Sequence, residues 1–420
     1  MSEYLPRLIE FNIAEQSEVM GCIVVEGPKW CGKSTTAKRF AKTVVELQRD
    51  KVYQKYSLFA ANGDDEYLLE GEKPLMFDEW QKLPSLWDTI RAEVDTIKEK
   101  GQFILTGSAK PIEDKGRHSG AGRMVKIVMR PMSLWESQES TGQISLGALF
   151  NGETKIKGDA QLDISRIAFI TCRGGWPAAI LMDDKNALLA SRNYYKLLVE
   201  VDITDVDDIK RNPERAKKIL HAYARQVSSL AANRTILKDV AEVCTDGKTL
   251  ISYLNAFKKL FVIEDVLAWS PKLRSKTTIQ TTPKRQFVDP SVAAQALEVC
   301  PEDLLDDVHT FGLLFESLCT RDLRIYAAKL GGTIYHYHDE KGLEADIIIH
   351  LDNGDWAAVE VKLGGHQIDE AAKNLLKLKE KIDSERMREP KFLMVLTGLD
   401  YAYRRPNDGI FVVPIGCLRD

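Results

Sequence analysis

No apolar run in the 420-residue sequence approaches the roughly 18 residues that a membrane-spanning helix needs, so no membrane partner is expected. The first residues carry Glu3, Arg7 and Glu10 around no apolar core, so a secretory signal is not expected either. Cysteine is scarce. There are seven, an odd number, and none stands in a Cys-x-x-Cys pair. That argues against a disulfide framework and a zinc site, and fits a reducing cytoplasm. Hydrophobic residues make up 44% and charged residues 29%, which excludes disorder, collagen and coiled coil as the dominant state. At roughly 100–200 residues per domain, the length corresponds to two to four domains.

The net charge is only −4, but it is unevenly spread. Residues 210–290 hold 16 Lys/Arg against 7 Asp/Glu, whereas residues 301–420 hold 15 against 22. A basic segment inside an acidic chain is either a solvated face or a nucleic-acid contact surface.

What is present begins with a short apolar run, Cys22 to Val25, followed by Glu26 and Gly27-Pro28-Lys29-Trp30-Cys31-Gly32-Lys33-Ser34-Thr35. Gly27, Gly32, Lys33 and Ser34 match G-x-x-x-x-G-K-[ST] at every fixed position. Backbone N–H groups of such a loop cradle phosphate oxygens, and the helix N-terminus adds partial positive charge. Residues Gly27 to Thr35 are therefore the candidate ATP-binding loop. Lys33 is expected on the β- and γ-phosphates, and Ser34 on Mg²⁺. Cys31 is read as loop filling, with a redox-sensitive thiol as the alternative.

The apolar strand Leu75-Met76-Phe77 ends in Asp78-Glu79, and Gln102 to Leu105 ends in Thr106-Gly107-Ser108. Asp78 is expected to support Mg²⁺ and Glu79 to polarise the attacking water. Thr106 or Ser108 would sense the γ-phosphate from the adjacent strand end, since ligands of open sheets sit at the carboxyl ends of strands. Strands near 22–26, 52–59, 74–78, 102–106 and 124–130 alternate with helical stretches, the first of them 35–48. This predicts a parallel α/β domain.

The segments GPKWCGKST, LMFDEWQKLPSLWDTI, GQFILTGSAK, SGAGR, RPMSLWE and GGWPAAI resemble, in this order, a large group of prokaryotic AAA-type ATPases. Those proteins carry an AAA-like module followed by a C-terminal region of poorly defined function. The resemblance implies that Arg123 stands at the γ-phosphate, in cis or from a neighbouring subunit.

After the loop Gly174-Gly175-Trp176-Pro177, a helical stretch is expected over 178–201. Three further helices are expected over 214–231, 235–243 and 248–260, with Thr235 capping the second. Apolar strands at 261–269 and 286–288 would then form a basic hairpin. Three helices and a hairpin are the pattern of a winged helix. Its recognition helix would offer Lys248, Thr249, Ser252, Tyr253 and Asn255. Lys272, Arg274, Lys276, Lys284 and Arg285 would contact phosphates from the wing.

Towards the C-terminus a helix over 311–328 carries Glu316. Strands at 333–338, 344–349 and 356–362, a helix at 367–382 and a strand at 392–396 follow. This order, with Asp346 on one strand and Glu360 and Lys362 on the next, resembles the restriction-endonuclease-like PD-(D/E)XK superfamily. Period 2 puts Glu360 and Lys362 on one face. Glu316, Asp346 and Glu360 are the candidate Mg²⁺ ligands, and Lys362 would stabilise charge on a phosphodiester. His336 and His338 share a strand face but lack a third ligand, and are read as structural.

The fold class expected is α/β: an AAA-like P-loop domain (1–135), a helical connector (136–209), a winged-helix-like domain (210–290) and a nuclease-like domain (291–420). The function expected is a cytoplasmic ATPase using ATP and Mg²⁺ whose nucleotide state controls nucleic-acid engagement. Two rivals stand beside it. One is a nucleotide-dependent switch acting on a protein partner or a second copy of the chain. The other is an ATP-gated, Mg²⁺-dependent DNA nuclease.

Overall fold

The computed structural model describes residues 4–107, 120–207, 209–270, 282–382 and 387–420. Five strands, Cys22–Glu26 (β1), Thr43–Glu46 (β2), Leu75–Asp78 (β3), Phe103–Gly107 (β4) and Met124–Val128 (β5), form a parallel sheet in the order β2-β3-β4-β1-β5. The three central strands are buried on both faces, as parallel sheets require. Alternation divides them between two cores. Ile23, Val25, Met76 and Ile104 join the largest core of the molecule. Cys22, Val24, Phe77 and Leu105 pack on a separate core shared with the helices Asp50–Asn62 and Leu86–Thr96.

Two sequence expectations fail here. The helix expected over 35–48 stops at Ala37, and Thr43-Val44-Val45 enters the sheet as β2. Three consecutive β-branched residues favour the strand. The strand expected at 52–59 lies instead in the helix Asp50–Asn62. Val52, Tyr56, Phe59 and Ala60 pack on the core from it, at i, i+4, i+7 and i+8. That is a helical stripe rather than an alternation.

The helical stretch expected over 178–201 is broken. Pro177–Ile180 and Asp184–Leu197 are separate helices, and Asp183 caps the second by accepting from Asn186 N. A π turn, Leu198–Asp202, follows. Three helices, Pro213–Ala224, Asn233–Asp239 and Gly247–Lys259, occupy the middle region. Asn212 caps the first and Asp246 the third. The second begins at Asn233, so Thr235 lies inside it rather than capping it. Among the described residues, the hairpin that follows is held by two antiparallel bridges, Ile263 to Phe287 and Val266 to Lys284. A third bridge, Ala268 to His336, fastens it to the C-terminal sheet.

That sheet has seven strands. Gly158–Asp159 is β7; the others are Gly332–His338 (β8), Glu344–Leu351 (β9), Trp356–Lys362 (β10), Leu393–Thr397 (β11), Tyr401–Arg404 (β12) and Phe411–Pro414 (β13). They run in the order β7-β12-β13-β11-β10-β9-β8, with parallel and antiparallel pairs mixed. Ile144–Ser145 (β6) pairs with Leu418–Arg419 (β14), so residues 144–159 of the expected connector are built into the C-terminal region. The helix Val308–Lys329 covers one face of the sheet and Ile368–Lys381 the other.

The regions share a polar spine. Arg321, fully buried, bridges Asp289 at 3.0 Å and Asp322 at 2.7 Å. Asp289 accepts from Gly175 N at 2.9 Å, and Asp322 from Leu134 N at 2.9 Å. Buried charges persist in proteins when they are paired in this way.

Candidate functional site

The loop from Gly27 to Ser34 joins the end of β1 to the short helix Lys33–Ala37. Gly27 has φ 152°, and a Cβ there would stand 2.1 Å from Met129 O, so only glycine fits. Gly32 has φ 97° and turns the chain into the helix. Lys33 is buried, and its Nζ donates to Gly27 O at 3.0 Å and Pro28 O at 2.7 Å. Ser34 Oγ donates to Asp78 Oδ1 at 2.7 Å, and Thr106 Oγ1 to the same oxygen at 2.6 Å. The register explains this meeting, since Asp78 and Thr106 are paired at the ends of β3 and β4. Glu79 follows at φ 57°, with Gln81 Nε2 donating to its Oε2 at 2.5 Å. Lys33, Ser34, Asp78 and Thr106 are thus brought together at one end of the sheet, and Glu79 directly follows Asp78. Ser108 lies outside the described residues.

Several supporting residues escaped the sequence reading. Gln48 Nε2 donates to Asp78 Oδ2 at 3.3 Å. Arg7 is buried behind the loop, donating to Cys31 O at 2.8 Å and Arg130 O at 2.7 Å and pairing with Glu136 at 3.1 Å. Cys31 is itself buried, with its thiol on Met129 O at 3.5 Å. The segment RPMSLWE, which supplies Arg130 and Glu136, therefore braces the loop.

GGWPAAI supports the loop from the other side. Trp30, at the loop's tip with φ 69°, stacks on Trp176 and on Tyr194, each with ring centroids 5.8 Å apart. Trp176 Nε1 is anchored on Ser291 Oγ at 2.9 Å. Next to Trp30, Lys29 pairs with Asp202 of the π turn at 2.6 Å. Burial pushes the Tyr194 hydroxyl well above its ordinary pKa. Beside the loop a cavity of about 260 Å³ is lined by Tyr4, Leu5, Thr35, Pro177, Ala178 and Leu181, among others.

Arg123 stands elsewhere. Its carbonyl accepts from Gly21 N at 3.1 Å, immediately before β1, and its exposed guanidinium pairs with Asp95. The phosphate loop leaves the opposite end of β1. At about 3.3 Å per residue, the five-residue strand puts the two ends on the order of 13 Å apart. The expectation that Arg123 meets the γ-phosphate in cis is corrected by this placement.

The basic hairpin is also corrected. Lys284 and Arg285 are buried, not presented from a wing. Arg285 is spent on Ala231 O at 2.9 Å and Asn233 Oδ1 at 2.8 Å. Tyr253, expected on a recognition face, is buried, with its hydroxyl accepting from Asn212 N at 2.8 Å. Ser252 Oγ accepts from Arg211 at 3.2 Å, and of the proposed contact face only Lys248 and Asn255 are exposed, with Thr249 and Ser252 half-buried. Lys272, Arg274 and Lys276 lie outside the described residues. Much of the basic excess is paired within the chain: Lys217 with Glu298 at 2.8 Å, Lys258 with Asp265 at 2.7 Å and Lys259 with Asp207 at 3.2 Å.

Glu316, from the helix Val308–Lys329, converges with Asp346, Glu360 and Lys362 of the C-terminal sheet. Lys362 Nζ lies 2.8 Å from Glu360 Oε2 and 3.3 Å from Asp346 Oδ2, and Val361 N donates to Asp346 Oδ2 at 2.9 Å. Lys284 Nζ enters the same cluster, 2.7 Å from Glu316 Oε1 and 3.1 Å from Asp346 Oδ1. Burial pushes Glu316 up to about 7, against the pull of Lys284, and pushes Glu360 well above the carboxylate range. Burial opposes ionisation of Asp346 too, but Lys284 and Lys362 outweigh it and hold its carboxyl low. Among the described residues no group of three or more His, Cys, Asp or Glu is disposed to hold a metal ion. His336 is buried, with Nε2 on Thr282 O at 3.1 Å, and burial lowers its pKa to about 4. No helix among the described residues is long and apolar enough to cross a membrane.

Three families match successive parts of the chain. Residues 20–138 match an AAA domain, residues 165–303 a domain of unknown function (DUF8612) and residues 311–418 a second (DUF4143). No curated protein matches the chain. Among solved structures, it is similar to a Signal Transduction ATPase with Numerous Domains (STAND) protein with a tetratricopeptide repeat sensor from Pyrococcus horikoshii. The identity is 13% and the TM-score 0.28, over 78% of this chain and 50% of that one. The chain thus spans half the length of that protein, and likeness at this TM-score says nothing about function. The AAA match and the phosphate loop fall on the same parallel α/β sheet, which is followed by a helical region and a mixed-sheet region.

Proposed function

We propose that this chain is an ATP-hydrolysing switch whose middle region reads the nucleotide through the tip of the phosphate loop. The observation that carries the reading is Trp30, a loop residue stacked on Trp176 and Tyr194. Any change in loop shape on binding phosphate is felt by that stack and by the Lys29–Asp202 pair beside it. The cavity of about 260 Å³ beside Thr35 takes the base and sugar. Lys33 leaves two neutral carbonyls for charged phosphate oxygens, a stronger partner for an ammonium. Ser34 and Asp78 offer hydroxyl and carboxylate oxygens, a donor set that suits a hard cation, so these residues would hold Mg²⁺. When bound, that ion supplies positive charge to the phosphates. Thr106 holds the Asp78 carboxylate, and Gln81 holds Glu79 in position to accept a proton from water.

The switch output has two readings. Control of nucleic acid rests on the exposed Lys248 and on Lys272, Arg274 and Lys276. Control of a protein partner is favoured by the burial of Lys284 and Arg285 and by the paired surface lysines of the middle region. One titration separates them. If DNA binds through the basic segment, reversing charge at Lys272, Arg274 and Lys276 lowers the log–log salt slope by about 0.9 for each phosphate no longer neutralised. An unchanged slope leaves the protein-partner reading. The switch itself is tested by Trp fluorescence during ATP titration. A change that vanishes in Trp30→Phe supports it, and no change on saturating ATP refutes it.

A further inference from the structure

The acids that the nuclease resemblance assigns to a metal do assemble, but the space between them is taken. Lys284 Nζ stands 2.7 Å from Glu316 and 3.1 Å from Asp346, so one ammonium bridges a helix carboxylate and a strand carboxylate. Mg²⁺ would need oxygens at about 2.0–2.1 Å, and it would repel a lysine in the same position. The two cations exclude each other.

The lysine is delivered by a fixed backbone. Lys284 N donates to Val266 O and Lys284 O accepts from Val266 N, both at 2.9 Å. On one side Thr282 O meets His336 at 3.1 Å. On the other, Arg285 N donates to Ser229 O at 2.8 Å, and the Arg285 side chain is bound to Ala231 and Asn233. Within the cluster, Glu360 Oε1 is buried without a hydrogen-bond partner.

We infer that Lys284, from the hairpin of the middle region, is the resident cation of the C-terminal carboxylate cluster and keeps it free of metal while the hairpin is docked. The cluster is then a latch between the middle and C-terminal regions. A divalent cation enters only where the lysine has been withdrawn or removed. Taking Lys284 away leaves Glu316 and Asp346 short of a positive charge in a buried site, a deficit that a divalent ion makes good. A side chain that fills the same space without charge creates the deficit but leaves no room for the ion.

The test uses the full chain, stripped with chelator and free of nucleotide so that the phosphate loop does not contribute. Mn²⁺ is titrated and followed by its electron paramagnetic resonance signal. The wild type is expected to show no Mn²⁺ site that depends on Asp346. Lys284→Ala is expected to gain one per chain, lost again in Lys284→Ala/Asp346→Asn. Mn²⁺ should raise the Tm of Lys284→Ala but not that of Lys284→Met. The inference is overturned if wild-type protein binds one Mn²⁺ that Asp346→Asn abolishes, an outcome that requires no lysine variant to fold. It is equally overturned if folded Lys284→Ala, or Lys284→Ser should the alanine variant not fold, gains no such site.

Discussion

Two buried lysines, one in the phosphate loop and one in the C-terminal carboxylate cluster, behave differently. Lys33 in the phosphate loop donates to two backbone carbonyls, Gly27 O and Pro28 O. Lys284 in the C-terminal cluster is held by two carboxylates, Glu316 and Asp346. The partners decide what each ammonium can do. A hydrogen bond from an ammonium to a neutral carbonyl contributes about 1.5–3 kcal/mol net, and a charged phosphate oxygen is a stronger acceptor that can replace the carbonyl. Removing one member of a buried ion pair costs about 3–5 kcal/mol, because the other charge is stranded. Lys33 is poised to change partners, and Lys284 is not. One lysine serves a ligand; the other substitutes for one.

The largest effect that sharpens this contrast belongs to Lys33. Lys33→Ala should abolish ATP binding, and turnover with it, while leaving circular dichroism and Tm close to wild type, because its partners are loop carbonyls that other groups or water can satisfy. Retained turnover in the purified variant would refute the loop's role. Next comes Glu79→Gln, which keeps shape and loses the carboxylate. Turnover should fall by about 10²–10⁴ with nucleotide binding intact. If binding also disappears, Glu79 belongs to the metal or the scaffold. Lys284→Met breaks the contrast from the other side. It should lower unfolding free energy by about 3–5 kcal/mol in a urea titration. A loss below about 1 kcal/mol would put the ion pairs in the class of weak surface pairs. The smallest effect is expected at Trp30. Replacing it with alanine removes its stacking on two rings, about 0.5–1.5 kcal/mol for each pair beyond buried area. A matching shift in the urea midpoint would bear this out, and an unchanged midpoint would mean that the loop tip is not tied to the middle region.

Legibility followed the range of the interaction. The phosphate loop and the Glu360-x-Lys362 pair are written in consecutive residues, and their geometry follows from local rules. The C-terminal element order was readable too, from the helix at 308–329 to the strand at 393–397, because each strand is a short apolar run between turn residues. The segment 43–62 misled because Val52-Tyr53 and Tyr56 suit a strand by residue type, while the stripe through Phe59 and Ala60 favours a helix and packing chose it. Arg123 could have been placed better. It directly precedes an apolar strand running parallel to β1, which already sets it at the end remote from the loop. Lys284 was beyond reach. Its basic neighbours suggested a solvated wing, and nothing local shows that a strand bridge to Val266 turns its side chain toward Asp346.

Nucleotide binding at the phosphate loop is expected to be independent of the C-terminal cluster. Calorimetric titration of ATP with Mg²⁺ into wild type, Lys33→Ala and Asp346→Asn tests it most directly. One site per chain is expected in wild type and in folded Asp346→Asn, with no heat of binding in Lys33→Ala. Binding retained by Lys33→Ala, or lost from folded Asp346→Asn, would contradict it.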